Sequence, residues 1–222
     1  MEIMFLLFVI FFSIYWCVNE KVGLQLGIVS LLSAWALLLY WQFNKQLNMI
    51  IPFNINLMWI IIAVIFFCYI SLRNYFEKLL GKVNFRIKMM IIAGLSFLMI
   101  LYRPGLEFVI PGGSLLGLCA GYCLNRRYVG FKSSDVLQRT GLRKYMTLFA
   151  RIVIGSAVFF LISFRVANII QRISENQNVE LYCFLCCALI GLWVSMAAPW
   201  LFIKLRLAGI TLYEEKENKQ DE

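Results

Sequence analysis

The stretch "FVIPGGSLLGLCAGYCL", residues 108–124, is mostly apolar and carries a glycine at every fourth position from Gly113. Residues four apart lie on one face of an α-helix, so Gly113, Gly117 and Gly121 form a strip without side chains. In a membrane, such a strip lets a neighbouring helix approach closely. The sequence therefore predicts a membrane helix whose glycine face is a packing surface, used within the chain or between chains, and not a substrate site.

The composition of the whole chain indicates an integral membrane protein. Its 222 residues are 62% hydrophobic and only 15% charged, far from the balance of a soluble domain. A spanning helix needs about 20 mostly apolar residues, and seven runs qualify: 3–18, 24–43, 55–72, 89–102, 108–124, 148–164 and 181–203. Because the fourth and fifth meet at Arg103-Pro104, a re-entrant bend is an alternative there. We expect an all-α, polytopic helix bundle with about seven spans, in a range of six to eight.

The distribution of basic residues predicts the orientation of these spans. One set of alternate loops holds sixteen Lys and Arg residues, and the opposite set holds four. Cytoplasmic loops are the basic ones, so we expect a cytoplasmic (inner) membrane protein with its N-terminus outside and its C-terminus in the cytoplasm. The first run has no basic flank or cleavage signal and is expected to be retained. Arg151 lies inside the sixth run, near its basic end, and is expected to snorkel to the interface.

The chain is expected to form a single transmembrane domain over residues 1–208, followed by a charged, disordered tail over 209–222. Its net charge of +9 is explained by loops that face a membrane surface, so nucleic acid is not an expected partner. Membrane lipids are the expected partners, and another membrane protein is an open alternative.

Several kinds of chemistry are excluded by residue types that the sequence lacks. The 222 residues contain no histidine, which rules out Ser-His-Asp and Cys-His arrangements and histidine metal sites. No Asp or Glu lies inside a predicted span, and Glu2 and Glu180 lie at the very ends of two of them, so a proton relay or ion-coupled transport is not expected. The seven cysteines all fall within predicted spans, where they are expected to pack as small apolar residues. We predict no catalytic residue, no metal and no cofactor.

Three charged residues remain as candidates for a site at the predicted outer face. They are Lys45, Arg103 and Glu107. The two cations could contact a phosphate or lipid headgroup, and ordinary anchoring at the membrane interface is the alternative.

Three patches resemble one subgroup of the bacterial type 2 phosphatidic acid phosphatases, which are membrane lipid phosphatases. The patches are "IYWCVNEKVGLQLGIVSLLSAW", "IPGGSLLGLCAGYCLNRRYVGF" and "LIGLWVSMAAPWLFIKLRLA". They extend in order from near the start of the chain to Ala208. The resemblance implies a lipid-phosphatase-like helix bundle with its site on the outer face.

The catalytic motifs of that family are missing from this sequence. The first should fall near residues 41–49, where "WQFNKQLNM" does not keep its spacing, and the second coincides with "PFNI" at 52–55, without its histidine. In the third, the resemblance aligns the arginine with Met99, the nucleophilic histidine with Gly105 and the orienting aspartate with Val109. A phosphohistidine cannot form at Gly105.

The leading hypothesis is therefore a degenerate, catalytically inactive relative that acts as a lipid-binding, scaffolding or accessory membrane subunit. One alternative is an active phosphatase that uses Lys45 and Arg103 on the phosphate and Glu107 as base. Another is a small transporter of lipid-linked phosphates.

Overall fold

A computed structural model of the protein describes residues 11–46, 64, 67, 84–101, 106–138, 141–173 and 179–210. Almost all of them are helical, which confirms the predicted all-α class. The helices are α1 (11–17), α2 (Glu20–Gln46), α3 (Phe85–Leu101), α4 (Leu106–Leu124), α5 (Leu142–Ile173), α6 (Val179–Leu192) and α7 (Ala198–Lys204).

Short non-α segments lie at one end of these helices. A π-helical turn, Asn125–Val129, follows α4, and a second, Trp193–Ala197, joins α6 to α7. Strand β1 (Phe131–Lys132) leads into a 3₁₀ helix, Ser133–Gln138, and pairs antiparallel with β2 (Gly209–Ile210). This two-residue ladder ties the segment after α4 to the segment after α7.

Four of the described helices are long and apolar enough to cross a membrane. They are Glu20–Tyr40, Phe108–Val129, Leu142–Ile162 and Val179–Lys204, and they overlap the second, fifth, sixth and seventh predicted runs. Helix α3 has 17 residues and covers most of the fourth run. The first run is described only from residue 11, the third only at residues 64 and 67, and the Arg103-Pro104 bend not at all. The total of seven spans stays a prediction, as does the limit of the domain at residue 208.

Helix α4 packs directly against α6 along the glycine strip. A Cβ atom on Gly113 would overlap the carbonyl of Phe184, and one on Gly117 would overlap the carbonyl of Ala188. From the other side, a Cβ on Gly191 of α6 would lie 2.7 Å from the backbone nitrogen of Leu118. The two backbones therefore approach each other within one chain, as close helix packing in membranes requires.

Helices α1 and α2 form a tight hairpin beside α4. The side chain of Asn19 caps α2 by accepting a hydrogen bond of 2.9 Å from the backbone N–H of Lys21, as helix N-caps do. Gly23 then lies against the backbone of Tyr15, which brings α2 close to α1. Leu118 of α4 lies 3.5 Å from the position that a Cβ on Gly27 would take.

An aromatic cluster fills the bundle at the end where the π-helical turns lie. The ring of Trp16, which is fully buried, lies 5.6 Å from the ring centroids of Phe12 and Phe202. Phe12 also meets Phe159 of α5 at 5.0 Å. Gly155 of α5 leaves the space that the Trp16 ring occupies, so α1, α5 and α7 share one core.

We expect Gly117→Ala to lower the unfolding temperature of the detergent-solubilised protein by several degrees. The added methyl group overlaps the α6 backbone, and overpacking of this kind costs about 1–3 kcal/mol. The matched control is Gly94→Ala on α3, because a Cβ on Gly94 meets nothing within 4 Å and alanine favours the helix. Equal unfolding temperatures for the two variants would contradict the packing role of the strip.

Candidate functional site

A buried arginine joins three separate segments of the chain. The Arg151 side chain extends from α5 and is 0% exposed. Its Nη1 donates to the carbonyl oxygens of Trp16 at 2.7 Å and Ser133 at 3.2 Å. Its Nη2 and Nε donate to the carbonyl oxygen of Leu207 at 2.8 and 3.2 Å. The guanidinium also lies 5.3 Å from the centroid of the Phe131 ring, within cation–π range.

The prediction that Arg151 snorkels to the membrane interface is wrong. The side chain turns inward because the carbonyls that it binds lie at or beyond helix ends, where helices leave carbonyl groups without internal donors. Trp16 is near the end of α1, and Leu207 follows α7. The planar guanidinium, with five donors in a fixed fork, can serve several such carbonyls at once.

The π-helical turn after α6 exposes two more carbonyls. Pro199 has no backbone N–H, so it cannot donate to Ser195, four residues earlier, or to Val194, five residues earlier. The Nε1 atom of Trp16 donates to the Val194 oxygen at 2.9 Å. The hydroxyl of Tyr15 donates to the Ser195 oxygen at 3.0 Å. Side chains of α1 therefore replace the donor that the proline lacks.

Asn125 extends this network to the end of α4. Its Nδ2 donates to the Ser195 oxygen at 2.9 Å, and its Oδ1 accepts from the Phe131 N–H at 3.4 Å. The backbone oxygen of Asn125 accepts from the N–H of Gly130 at 2.8 Å. Gly130 has a φ of 64°, in the left-handed region that glycine adopts without strain. The glycine thus lets the chain turn from α4 into β1.

Glu20 and Ser133 hold the start of α2 against the segment after β1. The Oε2 atom of Glu20 accepts hydrogen bonds from the Ser133 hydroxyl and from the Ser133 backbone N–H, the latter at 3.1 Å. The Ser133 Oγ accepts from the Glu20 backbone N–H at 3.0 Å. This reciprocal pattern resembles the capping box of a helix N-terminus, but here the two residues are far apart in the sequence.

We refer to these side chains as the polar junction. Its members are Tyr15, Glu20, Asn125, Ser133, Arg151 and Ser195. All are buried except the half-buried Glu20, and the bonds described above join them to backbone groups or to each other. The junction therefore holds helix ends together, and its donors and acceptors are occupied within the protein.

Two of the three predicted outer-face residues, Lys45 and Glu107, lie toward the opposite end of the bundle. Helices α2 and α4 pack in opposite directions, since Glu20 binds Ser133 beyond α4. Lys45, in the last turn of α2, and Glu107, in the first turn of α4, therefore lie toward the same end. Arg103 lies outside the described residues. Contact of these three side chains with a headgroup stays a prediction.

Two positions that the resemblance aligns with catalytic residues are occupied by buried apolar side chains. Met99 of α3 is 2% exposed and Val109 of α4 is 1% exposed. Gly105, the third such position, lies outside the described residues. At Met99 and Val109 the structure has apolar packing in place of a charged pair.

In the part of the chain that the structure describes, no group of three or more His, Cys, Asp or Glu could hold a metal ion. The described cysteines are free thiols: Cys17, Cys119, Cys123, Cys183, Cys186 and Cys187. Cys68 lies outside the described residues.

Comparison with known families gives one match. Residues 109–210 match the transmembrane extension of the PAP2 superfamily phosphatases. The match covers a little under half of the chain and includes all of the second and all of the third patch quoted above. The resemblance to these phosphatases is therefore confirmed over this part. No match was found among curated proteins or among solved structures.

We expect Arg151→Gln to lower the free energy of unfolding by about 3 kcal/mol or more, because buried carbonyls that lose their donor cost about 1–3 kcal/mol each. The matched control is Arg143→Gln, on the exposed first turn of the same helix. Unfolding in mixed dodecyl maltoside and SDS micelles measures both. A loss at Arg151 no larger than at Arg143 would contradict the junction.

Tyr15 and Asn125 should show coupled effects, because both donate to the Ser195 carbonyl. We expect Tyr15→Phe and Asn125→Ala each to cost about 1 kcal/mol or more, and the double variant to cost more than their sum, because the oxygen then loses both side-chain donors. Tyr15→Phe combined with Ser30→Ala should be additive, because the Ser30 hydroxyl bonds to Leu26 within α2. Additivity in both pairs would exclude a shared acceptor.

Proposed function

We propose that this lipid-phosphatase-like membrane protein binds lipid, or a membrane protein partner, without hydrolysing a phosphate ester. It would act as a scaffolding or accessory subunit. The observation that carries the proposal is the absence of histidine from all 222 residues. The phosphatases that the chain resembles use histidine as nucleophile and as general acid, and no other residue stands at the aligned positions to replace it.

The packing around the aligned positions supports the loss of catalysis. A phosphate held at Met99 and Val109 would meet buried hydrocarbon instead of a charged or hydrogen-bonding group, and burying an uncompensated charge there is costly. The buried guanidinium of Arg151 donates its hydrogen bonds to backbone carbonyls of the polar junction, away from Met99 and Val109. It is not placed to substitute for the missing arginine.

An apolar groove beside Met99 supports lipid binding. The groove has a volume of about 450 Å³ and lies between α2 and α3, with Leu32, Trp35, Leu95, Leu98, Met99 and Leu101 as its lining. Leu98 and Leu101 are 62% and 65% exposed, so this side of α3 faces the surroundings of the bundle. In a bilayer, we propose that an acyl chain occupies the groove, because its walls offer hydrocarbon contacts.

The proposed location is the cytoplasmic membrane, with the polar junction at the cytoplasmic end. All exposed cations of the described segments except Arg165, in the later part of α5, lie at the junction end. The positive-inside rule assigns such a basic end to the cytoplasm. The cations at this end include Lys21, Arg86, Arg126, Arg127, Lys132, Arg143, Lys204 and Arg206.

The placement of Lys45 and Glu107 toward one end of the bundle favours one alternative. Together with Arg103 they could form a rebuilt phosphatase site, with the two cations on the phosphate and the carboxylate as base. Transport of lipid-linked phosphates would need a polar path across the bundle. Outside the polar junction, the buried polar groups of the described interior are neutral ones, such as Ser33, Trp35 and Ser96.

We expect the purified protein to release no inorganic phosphate from phosphatidate, phosphatidylglycerol phosphate or a polyprenyl diphosphate above the rate of an empty-micelle control. The physical reason is the lack of histidine, the nucleophile used by the phosphatases that the chain resembles. Phosphate release is measured by colorimetry on a sample whose cooperative thermal unfolding shows that it is folded.

Arg103→Ala/Glu107→Ala is the control variant for this assay. Turnover by the wild-type protein that the double variant abolishes would overturn the non-catalytic proposal and establish a rebuilt site. Turnover that survives in the double variant would indicate a contaminating phosphatase. Further purification removes that contaminant before the two proteins are compared.

A further inference from the structure

Four cations from two neighbouring helices converge at the junction end of the bundle. Arg86 and Lys88 lie in the first turn of α3, and Arg126 and Arg127 lie in the π-helical turn after α4. Arg86, Arg126 and Arg127 are exposed, and Lys88 is half-buried. Lys88 and Arg126 both act electrostatically on the Cys123 thiol near the end of α4, and Arg127 contacts the ring of Phe85, the residue before Arg86. We refer to these four residues as the basic cluster.

Aromatic rings contact one member of the cluster, Arg127. The Arg127 guanidinium carbon lies 4.8 Å from the centroid of the Phe85 ring and 5.5 Å from that of Tyr128. Both distances are within cation–π range. Because Phe85 begins α3 and Tyr128 follows α4, this contact joins the two helices at the membrane surface. An arginine fixed in this way loses less conformational freedom when it binds a phosphate.

A hydrophobic surface continues from the cluster along α3. Ile87, Met90 and Ile91 are 49%, 73% and 49% exposed, and they lie within two turns of Arg86. Side chains of this kind at the start of a membrane helix face lipid chains. A lipid has a charged headgroup and an apolar chain. The cations of the basic cluster suit the headgroup, and the apolar surface next to them on α3 suits the chain.

We propose that the basic cluster binds the phosphate group of an anionic phospholipid in the leaflet at the junction end, with an acyl chain along Ile87, Met90 and Ile91. Arginine guanidinium groups bind phosphate oxygens in pairs, and the fields of the four cations add at the interface. The residues of this site are not those of the apolar groove, and Lys45 and Glu107 lie toward the other end of the bundle. The site does not depend on the function proposed above.

The test measures lipid affinity with the full chain in dodecyl maltoside. Native mass spectrometry with added phosphatidylglycerol gives the dissociation constant, and phosphatidylcholine serves as the zwitterionic comparison. We expect Arg126→Gln/Arg127→Gln to weaken phosphatidylglycerol binding by roughly tenfold or more, since each cation near an anionic surface contributes a factor of about five. Phosphatidylcholine binding should change little.

Lys132→Gln/Arg143→Gln is the matched control, because it removes two exposed cations at the same end but outside the cluster. The proposal expects this variant to keep the wild-type affinity. Equal weakening in the two double variants would overturn it, because the effect would then come from overall surface charge. Equal affinity of the wild-type protein for phosphatidylglycerol and phosphatidylcholine would overturn it as well.

Two further arms keep the result interpretable. Soluble glycerol 3-phosphate should not compete with phosphatidylglycerol at equal concentration, because it lacks the acyl chain; full competition would contradict a lipid site.

The unfolding temperature without lipid is measured for each variant. If Arg126→Gln/Arg127→Gln does not fold, Lys88→Gln replaces it, with an expected loss of about fivefold, and an unchanged affinity would then overturn the proposal.

Discussion

Backbone carbonyl groups that lose their helical donor inside a bilayer must find another, because each unsatisfied group costs several kcal/mol in lipid. In this protein Pro199 creates that requirement in the π-helical turn that contains Val194 and Ser195, and helix ends create it at Trp16 and Leu207. The hydrogen bonds to these carbonyl groups are donated by the side chains of Tyr15, Trp16, Asn125 and Arg151. Each of these bonds joins segments far apart in the sequence, so the donors also determine how the helices pack at this end.

The polar junction and the proposed outer site lie toward opposite ends of the bundle, which has a consequence for function. The glycine strip between α4 and α6 and the polar junction hold the described helices together. A chain without phosphatase activity, as proposed here, would keep both sets of contacts. The proposed non-catalytic role therefore requires no special stabilisation of the bundle.

The sequence predicted the features that depend on local patterns. Runs of apolar residues predicted the all-α class and the four described helices that can span a membrane, because a membrane helix must satisfy its backbone internally. The spacing of Gly113, Gly117 and Gly121 located the surface that packs against α6. The polar junction was missed, because contacts such as Tyr15 with Ser195 join residues 180 positions apart, which no local pattern encodes. For Arg151 and Pro199 a signal was present: a charged residue within an apolar run is costly unless it has partners, and a proline leaves carbonyls to be satisfied.

The claim on which this account depends is that Arg151 is fixed by carbonyl groups from three segments. Its most direct test is nuclear magnetic resonance of the protein in nanodiscs with ¹⁵N-labelled arginine. A guanidinium held by these bonds should give resolved η-proton signals that exchange slowly with water and disappear in Arg151→Lys, whereas exposed arginines give averaged, rapidly exchanging signals. If every arginine gives averaged signals, or if Arg151→Lys removes none of the slow ones, the guanidinium is not buried in the polar junction and the account is wrong.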